Sequence, residues 1–578
     1  MKKRNSVLVS KVFYAMLIPT ILMNAVTCIT SASDTIIVGN FVGENALAAI
    51  TFSTPIFMLT NLLGALIAVG GTTAMGIANG RGDVREANGI FSVMILAAIA
   101  FGLIVAVAGT VLLDPIVKIL GAQNAQAILT REYAAVVFLI TPAFMLNITL
   151  AFLIRSDGRP NLAMTGMLVS IAANILMDVL FIISFDMGVK GAALATGLAQ
   201  AISALILATH FFSKKNTLKL TRPPINKIPL ICKSGAGTSL TFIYMFITIL
   251  VFNNFIMNIA GGDGVIVYTV IMNVSAIAMS IFEGLSQTVQ PMFSVYYGER
   301  NNAAIKACFR LAVKMTLILG GAVTLLLEIF PHALVYAFGV TGSPAGASAT
   351  GIRIFSICII LMTFNVIMGY YYQSTERPGL ASMIVFIRNL AAQIAGAIVF
   401  GLIWGLNGIW FSYLFSEVTA LLIWFLFAKR IGRKSETRNE PLEEGFLLLP
   451  KQAMVYAREL SCNLTELQTV LQEAEDFLTS NGAPAKRAGR VRLAIEELGT
   501  NVINHGGTKL RYVEVRIVIE DEIKVIIRDD GVLFDHSAFT YAGKPDVSGG
   551  QGLHLVRQTA LSFEYRPVLG MNRTLLTY

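Results

Sequence analysis

Apolar runs of membrane-spanning length recur along the chain up to about residue 430, and nothing constrains its fold more. AMLIPTILMNAVTCITSA (15–32) and MILAAIAFGLIVAVAGTVLL (94–113) are two of them. A run of roughly 20 such residues crosses the hydrocarbon as a helix, because every backbone amide must find its partner inside the segment. Past Arg430 no such run occurs and charged residues become dense. The pattern predicts a polytopic helical membrane domain over 1–430, a linker over 431–446 and a water-facing domain over 447–578.

Twelve spans are expected, near 11–38, 47–78, 86–113, 132–154, 161–184, 189–213, 235–260, 265–295, 303–330, 347–372, 381–404 and 408–430. Five alternate loops, GRGDVRE, RSDGRP, SKKNTLKLTRPPINKIPLICK, YGERNNAAIKACFR and QSTERPG, together hold fourteen Lys and Arg. The opposite loops hold Lys118, Arg131, Lys190 and few others. Positive loops stay inside, so both termini are expected in the cytoplasm of a multi-pass plasma (inner) membrane protein. The same effect accounts for the net charge of +9 without any nucleic-acid partner. The five cysteines show no CxxC or paired spacing and read as small hydrophobes.

The membrane part repeats itself. RSDGRPNLA (155–163) matches QSTERPGLA (373–381), GVKG (188–191) matches GLNG (405–408), and 64–83 shares its glycine-first, glycine-last plan with 283–301. An offset across six spans preserves orientation, so two six-helix halves follow, about 10–213 and 235–430. Duplicated bundles of this kind place a substrate cavity between the halves and alternate access by rocking. Ionisable groups inside spans are costly and therefore functional candidates. Asp34 lies in span 1, and Asn174 and Asp178 lie four apart in span 5, on one helix face. Together they could share a proton or hold a cation. Glu283, Arg388 and Glu417 are further candidates in the second half, with Arg388 and Glu417 able to pair across helices.

DTIIVGNFVGENALAAI, GGTTAMGIANGRGD, the SDGRPNLAM…AANILMDVLFI…GVKGAALAT block and QPMFSVYYGERN resemble the multidrug and toxic compound extrusion (MATE) family over about 10–430. The resemblance implies an antiporter that exports amphipathic, often cationic compounds against H⁺ or Na⁺. It assigns the ion to Asp34, Asn174 and Asp178. Span 7, FIYMFITILVFNNFIMNIA, lacks the acidic residue of other members.

Behind the polar stretch SETRNEPLEE (435–444), KQAMVYARELSCNLTELQTVLQEAEDFL has helical periodicity. YVEVRIVIE and IKVIIRD alternate with period two, Val513, Val515, Ile517 and Ile519 sharing one side with Ile523, Val525 and Ile527. An α+β two-layer sandwich is expected. Glu497 and Asn501 share a helix face, where a carboxylate can act as base and an amide oxygen can bind Mg²⁺. IIRDDGVLFD sets a carboxylate at a strand end, and SGGQGLHLVR runs a glycine loop into a helix whose amides suit phosphate.

These blocks resemble the GHKL (Bergerat-type) ATP-binding superfamily, most closely its anti-sigma-factor serine-kinase branch. The resemblance implies Glu497 as catalytic base, Asn501 as ligand of the ATP-bound Mg²⁺, Asp529 and Gly531 as the adenine-reading turn, and Gly550 and Gly552 as the phosphate lid. GMNRTLLTY (570–578) is its closing strand, and His505 follows the Asn501 motif as in that branch. Leu533 replaces a second glycine of the broader pattern. An anti-anti-sigma-like protein is the implied partner, and whether the tail phosphorylates a serine stays open. The expected whole is a cation-coupled exporter with an ATP-reading regulatory tail. The alternatives are a membrane-anchored sensor with a kinase-like output, or a lipid-linked oligosaccharide flippase.

Overall fold

The computed structural model describes residues 7–213, 215–437, 442–443, 446–450, 454–535 and 551–578, apart from the side chains of 27–36, 44, 125, 434–437, 442–443, 450 and 551. The apolar runs all become helices. The first lobe comprises α1 (Val7–Phe41), α2 (Glu44–Arg81), α3 (Val84–Val111), the short α4 (Leu113–Ile119), α5 (Asn124–Ser156), α6 (Pro160–Asp178) and α7 (Gly188–Ala208). The second comprises α8 (Ile228–Gly298), α9 (Asn302–Ile329), the short α10 (Pro331–Ala337), α11 (Ser343–Ser356), α12 (Ile359–Ser374), α13 (Pro378–Phe386), α14 (Ala392–Trp404) and α15 (Leu406–Thr437). Among the described residues ten helices have spanning length and composition, or eleven when the α11–α12 pair, bent by 50°, counts as one. The long α8 is two limbs broken at Gly261 (φ 61°), and they occupy the places of expected spans 7 and 8.

The duplication is visible in detail. α2 ends at Gly82 (φ 84°) and the Asp83 carboxylate caps α3 by accepting from Glu86 N (2.7 Å). Beyond α8, Arg300 (φ 53°) turns the chain and Asn301 caps α9 by accepting from Ala304 N (3.0 Å). Each half also carries a π-helical turn, Val179–Ser184 after α6 and Ile387–Ala391 after α13.

The two halves meet along α2 and α8. At one end of the bundle, Gly80 and Gly298 face each other so closely that a Cβ on Gly298 would stand 2.2 Å from Ile77 O and 3.0 Å from Gly80 Cα. About two helical turns further along the same α2–α8 contact, Gln290 donates to Thr73 Oγ1 (2.9 Å). Arg81 pairs with Glu376 across the same seam (2.6 Å). That end of the bundle is closed.

On this closed end sits the C-terminal domain. After a small ribbon of β1 (Leu442–Glu443) and β2 (Leu449–Pro450) come β3 (Met454–Ser461), α16 (Leu464–Ser480), α17 (Ala485–His505), β4 (Tyr512–Ile519), β5 (Ile523–Asp529), α18 (Gln551–Thr559), β6 (Ser562–Tyr565) and β7 (Asn572–Thr577). The five-stranded sheet runs β3-β4-β5-β7-β6, every pair antiparallel. Val513, Val515, Ile517, Val525 and Ile527 bury one face against Leu467, Leu471, Val491, Ile495 and Leu498 of α16 and α17, the two-layer sandwich expected. One expectation fails. Met454–Ser461 is a strand, not the start of a helix, because β4 supplies its hydrogen-bond ladder. The helix begins only where Asn463 Oδ1 accepts from Thr465 N (2.9 Å) and Glu466 accepts from Ser461 N (2.8 Å).

Candidate functional site

In the C-terminal domain, Glu497 and Asn501 lie on the same face of α17. The turn after β5 meets the end of that helix: Val532 N donates to Gly506 O (2.9 Å). A Cβ on Gly531 would lie 2.8 Å from Gly506 O, so only glycine fits there. The Asp529 carboxylate is buried, accepting from Gly531 N (2.9 Å) and Asn572 Nδ2 (2.7 Å). Burial raises its pKa above the ordinary carboxylate range. Its second oxygen can accept from an exocyclic amine. Gly552, in the first turn of α18, presses on Glu497, whose carboxyl carbon would stand 1.9 Å from a Cβ there. The structure thus joins Glu497, Asn501, Asp529, Gly531 and Gly552, while Gly550 falls outside the described residues. His505 is exposed at the helix end. Sequence reading missed Asn572, which pairs with Asp529 in the β5–β7 register and orders the turn through Phe534 N (3.3 Å) and Val532 O (3.0 Å). Only strand register could have found it. Among the described residues no group of three His, Cys, Asp or Glu could hold a metal by itself. The oxygen of Asn501 would therefore hold Mg²⁺ only together with phosphates, and the residues present fit a nucleotide.

In the membrane, Asn174 and Asp178 end a row of buried residues on α6 (Ala163, Gly166, Ser170, Asn174, Asp178), just before the Val179–Ser184 π-turn. Both are essentially inaccessible to solvent, and among the described residues neither amide atom of Asn174 has a hydrogen-bond partner. A buried amide left unpartnered costs free energy unless a ligand completes it. α1 packs on α6. The Asp34 backbone is part of α1, but its side chain lies outside the described residues.

The repeat locates polar groups that single-motif reading missed. Asn147 donates to Gln200 in the first lobe (2.5 Å), and at the equivalent places Asn365 donates to Glu417 in the second (2.7 Å). In the second lobe Glu417 is also gripped by Arg388 through two donors (3.0 and 2.8 Å), the pairing expected across helices. Glu283 accepts from Tyr370 and, at 3.4 Å, from Gln287, which in turn accepts from the buried Arg155 of the first lobe (2.8 Å). Asp157 and Arg159 are structural, bonding His210 (2.7 Å) and Ser213 (3.1 Å).

The MatE family model matches residues 19–180 and 237–399, one segment in each lobe. The chain belongs to the MatE family. A second family model, the histidine kinase-like ATPase domain, matches residues 460–577. This MatE protein is 26% identical over 433 residues to the multidrug export protein MepA of Staphylococcus aureus (strain N315), an alignment covering 73% of this chain and 95% of the relative. It is 26% identical over 425 residues to MepA of Staphylococcus haemolyticus, covering 72% and 93%. Its fold matches an outward-facing multidrug resistance MATE family transporter of the MOP superfamily with a TM-score of 0.70 at 23% identity, over 75% of this chain and 97% of that one. A MATE captured in a bent conformation matches at 0.69 and 24% identity, over 74% and 97%. The protein is a MatE-family membrane transporter carrying an ATPase-like domain.

Proposed function

We propose that this MatE transporter is a cation-coupled antiporter, exchanging H⁺ or Na⁺ for amphipathic or cationic small molecules that it exports from the cytoplasm. The observation that carries the reading is the buried Asn174–Asp178 turn, with a carboxylate and an uncompleted amide one helical turn apart at a π-bend. A cation or proton neutralises the buried carboxylate there, and the neutral lobe rocks at lower cost than the charged one. Asp34, on the helix packed against α6, supplies the second carboxylate. The relatives' printed name, multidrug export protein, supports the substrate class.

The C-terminal domain binds ATP with Mg²⁺ on the α17–α18 face. Asp529 reads the base, Asn501 holds the metal through the phosphates, Gly550 and Gly552 belong to the lid, and Glu497 orients a water or a serine hydroxyl. It acts as a regulator, with an anti-anti-sigma-like protein as the partner that face would meet, on the cytoplasmic side of the plasma membrane together with both termini.

Purified full-length protein in vesicles tests the exchange. An imposed proton or sodium gradient should drive ethidium transport, and Asp34→Asn or Asp178→Asn should abolish it. Gradient-driven transport at unchanged rate in both variants would refute the ion assignment. Loss of nucleotide binding in Asn501→Ala, by titration of the same full chain, tests the domain separately. If the carboxylate variants transported normally while Asn501→Ala lost partner binding, the sensor reading would replace this one.

A further inference from the structure

The sheet of the ATPase-like domain is buried on both faces. Its outer face carries Glu514, Arg516 and Arg528, alternating with the valines and isoleucines of the inner face, together with Glu459 and Arg573. Such a row would ordinarily meet water. Here Arg516, Arg528 and Arg573 are at most a few per cent exposed, because the membrane bundle covers them.

What they grip is specific. Arg528 donates to the buried Glu299 carboxylate at the end of α8 and to Glu514 (3.2 Å). Arg516 donates to the carbonyls of Glu299 (3.0 Å) and Arg300 (2.8 Å). Burial alone would raise the pKa of Glu299, but the guanidinium of Arg528, then that of Arg573, holds it below the usual range. Arg573 reaches both lobes with one nitrogen, donating to Asn79 O of α2 (2.6 Å) and to Glu299 (3.4 Å). Around this centre, Gly570 lies on Gly158 of the first lobe, where a Cβ would meet Gly570 N at 2.2 Å. Tyr371 and Tyr372 of the second lobe donate to the carbonyls of Leu447 (2.6 Å) and Phe446 (2.7 Å). The contacts fall on both sides of the Gly80–Gly298 seam.

The nucleotide-reading residues lie one rung away on the same ladder. Arg528 pairs in register with Arg573, and the next pair along is Asp529 with Asn572. Asp530, the following residue, accepts from Lys11 of α1 (2.6 Å) and from the amides of Arg511 (2.8 Å) and Tyr512 (3.1 Å). A ligand that moves the Asp529–Asn572 rung therefore moves the residues that hold the two lobes together.

We propose that the outer face of this sheet is a staple whose partner is the two lobes of the transporter at once, holding them closed at the docked end, and that nucleotide on the Asp529–Asn572 rung sets its grip. The inference rests on the antiporter and nucleotide-binding readings above. Rocking would require Asn79 and Glu299 to part, and Arg573 cannot bond both once they do. Transport is thereby put under the control of a nucleotide that does not drive it.

The test uses the full chain in vesicles with its five native cysteines replaced and a single cysteine at Thr73, which is buried in the seam. A membrane-impermeant maleimide added from the docked side reads opening. Glu299→Gln removes the charge that three arginines surround, and labelling should accelerate at least fivefold. Lys11→Ala, at a half-exposed position on α1 away from Glu299, should accelerate it less. Mg-ATP should change the rate in the otherwise unaltered chain and leave Glu299→Gln unmoved. Unchanged labelling in both variants overturns the staple. ATP that binds by titration yet leaves the rate unaltered overturns nucleotide control. A chain that binds no ATP at all refutes the nucleotide-binding reading itself, and with it that control. Should Glu299→Gln fail to fold, Lys11→Ala carries the decision alone.

Discussion

Replacing Gly298 by alanine would add one methyl group where the second limb of α8 crosses α2. That methyl would stand 2.2 Å from Ile77 O and 3.0 Å from Ile77 C and Gly80 Cα, all backbone atoms that no rotamer change can clear. An ordinary carbon contact needs roughly 3.5 Å or more, so the two helices must part by about 1 Å. Overpacking of this kind costs about 1–3 kcal/mol. The cost falls only on the arrangement in which the lobes touch; once they separate, the methyl has room. The helical preference of alanine over glycine, about 0.5–1 kcal/mol, is gained in both arrangements and cancels. The balance should therefore move toward the open docked end by about 5- to 150-fold. Labelling of a cysteine at Thr73 from that side measures the shift directly. Gly321→Ala, where an added Cβ meets nothing within 4 Å, is the control. If Gly298→Ala labelled no faster than Gly321→Ala and melted at the same temperature, the two backbones would not be in contact and the closed seam would be wrong.

Arg388→Ala should leave the buried Glu417 carboxylate without its guanidinium at a cost of about 3–5 kcal/mol. A thermal melt of the purified protein would show it, and removing Glu417 as well should recover much of the loss. Equal melting of wild type and Arg388→Ala would rule out a structural role for the pair. Stability should also depend on pH through Glu459, which accepts from the first amides of α1, Val7 N (3.0 Å) and Leu8 N (3.2 Å). Burial, with nearby Glu514 adding to it, pushes this carboxyl from 4.5 up to about 7. A raised folded pKa means the docked fold holds the proton more tightly than the unfolded chain does. The stabilisation is thus full below about pH 4.5 and lost as pH rises through about 7. Allowing for solvent screening, about 1–2 kcal/mol should disappear over that window. Melts between pH 5 and 8 should slope downward in wild type and flatten in Glu459→Gln; identical slopes would remove the residue from the account.

The lobes, their duplication and the helix face shared by Glu497 and Asn501 were all legible, because each is written locally or at a fixed offset. The offset that aligned RSDGRPNLA with QSTERPGLA also relates Asn147 to Asn365 and Gly80 to Gly298, but only the fold shows that the last pair touch. Symmetry marks equivalent places without saying which of them meet. Met454–Ser461 was misread because a short amphipathic stretch fits either period, and pairing with β4 decided it. The cover over Arg516, Arg528 and Arg573 is not written in the strands, since alternation distinguishes the two sides of a sheet but not what covers the polar one. Asn572 escaped because its function depends on register with Asp529, forty-three residues away.

The doubly covered sheet has a practical corollary for anyone who cuts the gene at the start of the ATPase-like domain. The excised fragment would present to buffer three arginines deprived of Glu299 and an apolar strip of Val568, Leu569 and Met571 taken from the membrane protein's core. Such a surface is adhesive toward acidic polymers and toward copies of itself. Partners fished out with the fragment would report the wound left by the scalpel rather than the α17–α18 side.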